Sequence, residues 1–271
     1  MRSLGCALIG LVLGVGASPL RAAEAAAPVH PVLHDRFYFG IGAYFPRMNT
    51  TAQLDSTNLG VGTNVDFEKA LGMPAREVVP DFFARYRFAE RWRIDAEYFA
   101  LDRTGSRTSD HDIQWGDHVF PANTQVSSRF FFSDTRVSVG YAFFKTVDKE
   151  LGAGFGFHVA KYNANLNSTV VGSETGDALA PLPVLSAYGQ FALTEEWAVG
   201  GRVDWFSMSY DHYDGNVSSV GVNLMYQPFR NVGFGLGYRS LFIALTHTVS
   251  GATVQFDQSF RGPLLSMNAS F

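Results

Sequence analysis

A two-residue alternation of apolar and polar side chains constrains this fold most, and it is clearest in the last strand. One face of that strand carries Leu265, Met267, Ala269 and Phe271, and the residues between them are polar. Side chains of a strand point alternately to its two faces, so one face is apolar and the other is polar. An aromatic ring at the edge of such a strand suits a lipid–water interface. The pattern predicts a strand that closes a barrel in a membrane.

The same alternation recurs along the chain and predicts about ten strands. They cover approximately residues 36–45, 81–88, 92–101, 131–143, 151–161, 183–193, 197–205, 216–227, 232–247 and 265–271. Short connections alternate with longer ones, of which the longest are 47–77, 104–128 and 167–181. The fold class is therefore an all-β, transmembrane, antiparallel up-and-down β-barrel of about ten strands, with eight or twelve as alternatives. A soluble β-sandwich is disfavoured because several strands exceed about ten residues.

The N-terminus predicts an exported protein. A basic start, an apolar stretch over 4–15 and the small-residue site Ala23-Glu24-Ala25 indicate a signal peptide over residues 1–25. Residues 26–34 are then a periplasmic N-terminal segment, and 35–271 form the barrel. The only cysteine, Cys6, lies in the signal peptide. The predicted location is the cell outer membrane.

Two resemblances agree with this organisation. The last strand resembles the C-terminal strand of Gram-negative outer-membrane proteins, which implies that Phe271 is an assembly signal for the barrel-assembly machinery. Six segments resemble an uncharacterised proteobacterial outer-membrane β-barrel protein family. They are TNVDFE at 63–68, LG at 71–72, YRF at 86–88, RIDAEY at 93–98, IQWGD at 113–117 and VFP at 119–121. This resemblance implies the fold and the location, and it implies no substrate.

Charged residues on the opposite parity to the aromatic residues are predicted to face the barrel lumen. They are Arg85, Arg87, Arg93, Asp95, Glu97, Asp134, Arg136, Arg202, Asp204 and Arg239. Unpaired ions in a narrow lumen are costly, so we expect a network of arginine–carboxylate pairs that plugs the barrel. An open pore more often has rings of one charge sign. Glycines at 152, 154 and 156 are expected to leave room in the lumen for opposing arginines, or to let the wall bend.

Three outward-facing cations are predicted at the lipid headgroup level. Arg47, Arg129 and Lys161 share the parity of apolar neighbours, and Arg47 and Lys161 stand ten residues beyond the start of their strands. Ten residues climb about 25 Å in a tilted strand, which is the height of the apolar band. These side chains are candidates for contact with lipopolysaccharide phosphates, and interfacial snorkelling without a specific lipid is the alternative.

The predicted role is structural or surface interaction by a barrel with a charge-plugged lumen, and a narrow-solute channel is the second choice. A rim hydrolase of the omptin or lipid-A-modifying type is the third, on the strength of Asp110-His111-Asp112 and of Asp211, His212 and Asp214. The omptin Asp–His pair has a one-residue gap, whereas Asp211 and His212 are adjacent, and His212 and Asp214 have the gap but the reversed order. No enzyme activity and no catalytic residue is therefore predicted. No metal site or cofactor is expected. The excess of 25 acidic over 21 basic residues disfavours nucleic acid. Expected partners are outer-membrane lipid, lipopolysaccharide and the assembly machinery, with the oligomeric state left open.

Overall fold

The computed structural model describes residues 29–210, 213–249 and 252–271. The predicted signal peptide, residues 1–25, lies outside the described residues, as do residues 26–28 of the predicted N-terminal segment. Within these ranges, no helix is long and apolar enough to cross a membrane.

Strands make up most of the described chain. In chain order the elements are α1 (Pro31–His34), β1 (Phe37–Tyr44), β2 (Arg47–Leu54), β3 (Val65–Asp66), α2 (Phe67–Ala70), β4 (Val79–Arg87), β5 (Trp92–Thr108), β6 (Ile113–Trp115), β7 (His118–Phe120), β8 (Gln125–Lys145), β9 (Lys149–Ser168), β10 (Gly172–Ala192), β11 (Trp197–Tyr210), β12 (Tyr213–Tyr226), β13 (Val232–Val249) and β14 (Ala252–Ser270).

Ten antiparallel strands close into a ring. The order is β1–β4–β5–β8–β9–β10–β11–β12–β13–β14, and β14 pairs back with β1. β2 continues β1 along the same neighbour, β14, after a break at Phe45 and Pro46. The predicted all-β, antiparallel up-and-down barrel of about ten strands is therefore confirmed.

The strands are longer than the alternation alone indicates. Residues 47–54 form β2, although the sequence analysis assigns them to a long loop. Proline has no N–H to donate to a sheet, so Pro46 indicates in the sequence that a strand ends there. In the structure, pairing with β14 resumes at Arg47. The other two predicted loops also shrink, to residues 109–124 and 169–171.

The two ends of the barrel differ. One end, which we call the turn end, carries the short connections 88–91, 146–148, 193–196 and 227–231. The other, the loop end, carries the long connections 55–78 and 109–124. In barrels of this type the short turns are periplasmic and the long loops are extracellular. Aromatic rings stack in pairs near the turn end, such as Phe88 on Trp92 and Trp197 on Tyr226.

The polarity of the strand faces inverts along the barrel, and β9 shows this most clearly. In its turn-end half, Phe155 and Phe157 are exposed on the outside, whereas Gly156 and His158 are buried inside. In its loop-end half the inside is apolar and the outside is polar. The inward residues there are Ala160, Tyr162, Ala164 and Leu166, and the outward residues are Lys161, Asn163, Asn165 and Asn167. On β9 the apolar band of the outer surface is therefore confined to the turn-end half.

Apolar side chains fill the lumen of the loop-end half, and we call this cluster the outer core. Its largest members are Tyr44, Phe67, Phe99, Trp115, Phe120, Phe130, Phe132, Tyr162, Phe256 and Phe260. Both long connections contribute to it, because Phe67 of α2 packs edge-on against Trp115 and Phe130. Buried Arg103 holds α2 in place through Glu68 at 2.5 Å and Thr50 at 2.6 Å.

Candidate functional site: an ion-pair layer across the lumen

Below the outer core, the lumen holds a layer of buried charges. The ten lumen residues proposed from the sequence all lie on inward positions and each takes part in an ion pair. Two carboxylates that the sequence analysis did not assign, Asp81 and Glu150, and the imidazole of His158 join them. We call these thirteen residues the ion-pair layer. Its six arginines now face six carboxylates, so the formal charge of the layer balances without His158.

Glu150 is the centre of the part nearest the turn end. Its side chain is fully buried and forms ion pairs with Arg87 at 2.8 Å and with Arg93 at 3.1 Å. Arg93 also pairs with Asp95 at 2.9 Å, and its guanidinium lies 3.3 Å from the ring centroid of Tyr188. A cation enclosed by two carboxylates and an aromatic face is held in one position.

Asp204 is the centre of the middle part. Its carboxylate accepts hydrogen bonds from Arg202 Nε at 2.8 Å and from the hydroxyl of Ser186. His158 Nε2 lies 3.8 Å from Asp204, while its Nδ1 lies 2.8 Å from Asp134. The imidazole therefore links two carboxylates that belong to different strands.

Arg239 joins the layer to the outer core. It pairs with Asp81 at 2.9 Å and with Glu97, which also receives Arg136 at 2.8 Å. The Arg239 guanidinium lies 5.0 Å from the ring centroid of Tyr44, a member of the outer core. The charged and the aromatic parts of the lumen are thus in direct contact.

A cavity of about 170 Å³ lies beside the layer. Its wall includes Gly200, Ser219, Gly221, Asn223 and Ser266, which are small or polar. Such a cavity can hold a few water molecules. Among the buried polar atoms without a hydrogen-bond partner in the described residues are Nη1 of Arg136 and the hydroxyl of Tyr188, which both line the cavity.

The helix α1 fills the lumen at the turn end, and we call it the inner plug. Val32 and Leu33 are buried in a cluster with Tyr38, Ala198 and Met225. This part of the predicted N-terminal segment is therefore packed in the mouth of the barrel at the turn end.

Two histidines fasten the inner plug to turns of the barrel. His30 Nε2 lies 3.3 Å from the carbonyl of Glu196, and His34 Nε2 lies 2.7 Å from the carbonyl of Val147. Nδ1 of His30 accepts a hydrogen bond from the N–H of Val32 and so caps the helix. Burial lowers the pKa of His30 below its ordinary value, although the bond to Glu196 opposes this shift.

Of the glycines at 152, 154 and 156, only Gly152 makes room for an aromatic ring, whereas an added Cβ at Gly154 or Gly156 would meet the backbone of β8. A Cβ at Gly152 would lie 2.2 Å from the Tyr188 ring. This is the ring on which Arg93 stacks. The glycine therefore serves an arginine indirectly, through the aromatic ring between them.

The three proposed lipopolysaccharide contacts are all exposed on the outside of the barrel. Arg129 is already paired with Asp102, which accepts from Nε at 2.9 and 3.2 Å and from Nη2. Arg47 and Lys161 form no ion pair within the residues that the structure describes. Phe271, the proposed assembly signal, stacks on Phe39 with a centroid distance of 6.1 Å.

The residues behind the rim-hydrolase alternative are only partly described. Asp112 accepts the N–H of Ala122 at 2.8 Å, so its carboxylate stabilises its own loop. Asp211 and His212 lie outside the described residues. No group of three or more His, Cys, Asp or Glu side chains in the described ranges could hold a metal ion.

Comparison with known proteins identifies the fold. No family model matches the chain, and no curated protein is similar to it in sequence. The outer membrane protease OmpT from Escherichia coli has a similar structure, with a TM-score of 0.55 and 12% identity over 92% of this chain and 99% of that one. The Pseudomonas putida toluene transporter TodX gives a TM-score of 0.35 and 9% identity, covering 89% of this chain and 92% of that one. Neisserial surface protein A gives a TM-score of 0.32 and 14% identity, covering 87% of this chain and 97% of that one.

The likeness to OmpT and the apolar outer band lead to the same conclusion. Only a barrel that satisfies all its backbone hydrogen bonds by closure can place strands in lipid. The resemblance inferred from the sequence is therefore confirmed at the level of the fold. The chain is an outer-membrane β-barrel protein.

Proposed function

We propose that this protein is a closed outer-membrane barrel with a structural or surface-interaction role, and that it is not a pore. One observation carries the proposal, which is that the lumen is filled at three successive levels. The inner plug closes the turn end, the ion-pair layer crosses the middle and the outer core fills the loop-end half.

Each level opposes the passage of solutes for its own physical reason. The inner plug and the outer core are close-packed, and apolar packing leaves no continuous path for ions. The ion-pair layer has balanced charge, so it lacks the field of one sign that draws ions through an open channel.

A narrow-solute channel is the second candidate, and the cavity of about 170 Å³ favours it. The wall of the cavity includes members of the ion-pair layer, such as Arg93, Glu97 and Arg202. Passage would require both the inner plug and the outer core to move.

Planar-bilayer recording of the purified, refolded protein tests the proposal. We expect no steady conductance, because the three levels lie in series. The matched control is the same preparation after heat unfolding, which reports membrane leaks caused by detergent. A steady single-channel conductance that is absent from this control would contradict the closed barrel and favour the channel.

The proposed partners are the lipids of the outer membrane, lipopolysaccharide and the barrel-assembly machinery. For the machinery we predict that Phe271→Ala lowers the amount of barrel in the outer membrane, whereas Phe271→Tyr, which keeps an aromatic ring, does not. Quantification of the folded, heat-modifiable band in membrane fractions measures this. Equal yields of wild type and Phe271→Ala would contradict an assembly role for the ring.

A further inference from the structure

Three arginines lie side by side on the outside of the barrel, and we call them the arginine row. Arg47 of β2 is paired directly with Arg261 of β14. On its other side, Arg47 forms an antiparallel bridge with Arg76, which precedes β4. Directly opposed residues of an antiparallel pair project to the same face. All three side chains are exposed.

The row lies at the upper edge of the apolar band. The three chain segments that carry it present only apolar outward residues in the rungs below. From the turn end upward these rungs are Tyr86–Phe37–Phe271, Ala84–Phe39–Ala269, Phe82–Ile41–Met267, Pro80–Ala43–Leu265 and Val78–Phe45–Pro263.

Above the row the outward residues become polar. Asn49 opposes Ser259 in the next rung, and Thr51 opposes Asp257 in the one after it. From Phe37 to Arg47 the strand climbs about 25 Å at a tilt of about 40°, which is the height of the apolar band. The row is thus at the level of the outer headgroups.

The charge of the row is not balanced by the protein. None of Arg47, Arg76 and Arg261 forms an ion pair with a carboxylate in the part of the chain that the structure describes. Like charges directly opposed across strands destabilise a sheet. The other arginines of the barrel wall avoid this cost by pairing with carboxylates, as Arg129 does with Asp102. Three adjacent guanidinium groups without such partners therefore call for an external anion.

A groove beside the row offers room for that anion. It is lined by Arg47, Asn49, Lys69, Ser259 and Arg261 among others. Two carboxylates also line it, but both are occupied. Asp66 pairs with Lys69 at 2.8 Å, and Glu68 accepts from Arg103 and from the N–H of Thr50.

We infer that the arginine row binds the phosphate groups of an anionic glycolipid in the outer leaflet, such as lipopolysaccharide. Guanidinium groups bind phosphate through two parallel hydrogen bonds, and the height of the row matches that of lipid phosphates. This inference deepens the surface role proposed above and assigns it to Arg47, Arg76 and Arg261. Of the three cations proposed from the sequence, it retains only Arg47.

Two double variants that each remove two positive charges test the inference. Arg76→Gln with Arg261→Gln removes the flanks of the row, and Arg129→Gln with Lys161→Gln is the matched control on other strands. The probe is diphosphoryl lipid A in nonionic detergent micelles, and native mass spectrometry of the folded barrel gives its apparent Kd. Heat-modifiable migration on a gel verifies that each variant is folded.

We expect the row variant to bind diphosphoryl lipid A about 25-fold more weakly than wild type, because each basic side chain near an anionic lipid contributes about fivefold. The control pair should change binding less than about threefold. Dephosphorylated lipid A should bind wild type at least as weakly as the diphosphoryl lipid binds the row variant, because the row variant keeps Arg47.

Three results would overturn the inference. Equal losses in both pairs would indicate unspecific snorkelling, and a larger loss in the control pair would favour the cations proposed from the sequence. Displacement of lipid A by an equal concentration of inorganic phosphate would show a site for free phosphate instead. The conductance test contains no lipid A, so a failure of the closed-barrel proposal is distinguishable from a failure here.

Discussion

At the scale of single residues, the cost of a change in the lumen depends on which partners it leaves unpaired. Glu150 is fully buried between Arg87 and Arg93, with Lys145 at 4.0 Å. A buried cation that loses its carboxylate keeps the full cost of desolvation.

We therefore predict that Glu150→Gln lowers the free energy of unfolding by about 3–5 kcal/mol. Urea unfolding in lipid vesicles measures it. The control is Glu90→Gln, because Glu90 is exposed in a turn and its change should stay within about 0.5 kcal/mol. Equal stability of the two variants would show that the buried pairs carry no net stabilisation.

A second residue-scale prediction concerns the space beside Tyr188. Gly152→Ala places a methyl group 2.2 Å from the ring, so the ring must move and loses its stacking under Arg93. We expect a loss of about 1–3 kcal/mol in the free energy of unfolding.

Gly221→Ala is the matched control for the space beside Tyr188, because Gly221 has no atom within 4 Å of the added Cβ and faces the cavity. Denaturation midpoints report both variants. The crowding account fails if Gly221→Ala is the more damaging change.

Strand parity alone was enough to assign most of the charged residues of the lumen. Asp81 is the first residue of its predicted strand and Glu150 directly precedes one, so neither was assigned, although both share the inward parity of their neighbours. The pairing partners could not be read from the sequence. Arg85 and Gln190, for example, lie 105 residues apart and meet only because the ring closes.

At the scale of elements, the docking of the inner plug in the barrel depends on the protonation of His30. The lowered pKa of His30 means that the docked state favours the neutral imidazole. Above the ordinary histidine pKa of about 6.5 the docked state keeps its full stability, and this stability is lost as the pH falls through the lowered value.

We predict that acid loosens the inner plug and that His30→Asn, which still caps a helix but does not titrate, removes this dependence. Hydrogen exchange of the Leu33 amide, corrected for the intrinsic rate, measures docking at neutral and acidic pH. His34→Asn is the control and should keep the dependence, since His34 is exposed. An unchanged acid response in His30→Asn would assign the effect to another group.

The elements that the sequence analysis missed are those held by distant contacts. β2 follows a proline, and its inward residues Met48 and Ala52 are recognisable as buried only beside the rest of the outer core. α1 has only four residues, too few to be stable without the barrel around it. Local pattern therefore predicted the strands inside the apolar band better than the parts beyond it.

At the scale of the whole molecule, the three levels of the lumen act in series, so opening one of them does not open the barrel. We predict that replacing Arg85, Arg87 and Arg136 together with Ala destabilises the protein but leaves it without steady conductance. The carboxylate partners are stranded, whereas the outer core still closes the loop-end half.

Urea unfolding measures the stability of this triple variant, and planar-bilayer recording measures its conductance. Arg36, Arg47 and Arg129 lie on the outside of the barrel, and their replacement with Ala removes equal charge without reaching the lumen. A conducting triple variant with an intact fold would mean that the ion-pair layer alone closes the barrel.

The inverted polarity of the strands has a consequence for what the cell displays. β9 has 20 residues and climbs about 50 Å at a tilt of about 40°, of which the apolar band takes about 25 Å. The part of the barrel above the apolar band has a polar outer surface and a packed interior. It raises Val61 and Val170, both largely exposed, well clear of the lipid headgroups. We therefore expect an antibody raised against the loop end to bind this barrel without contact with the lipid headgroups.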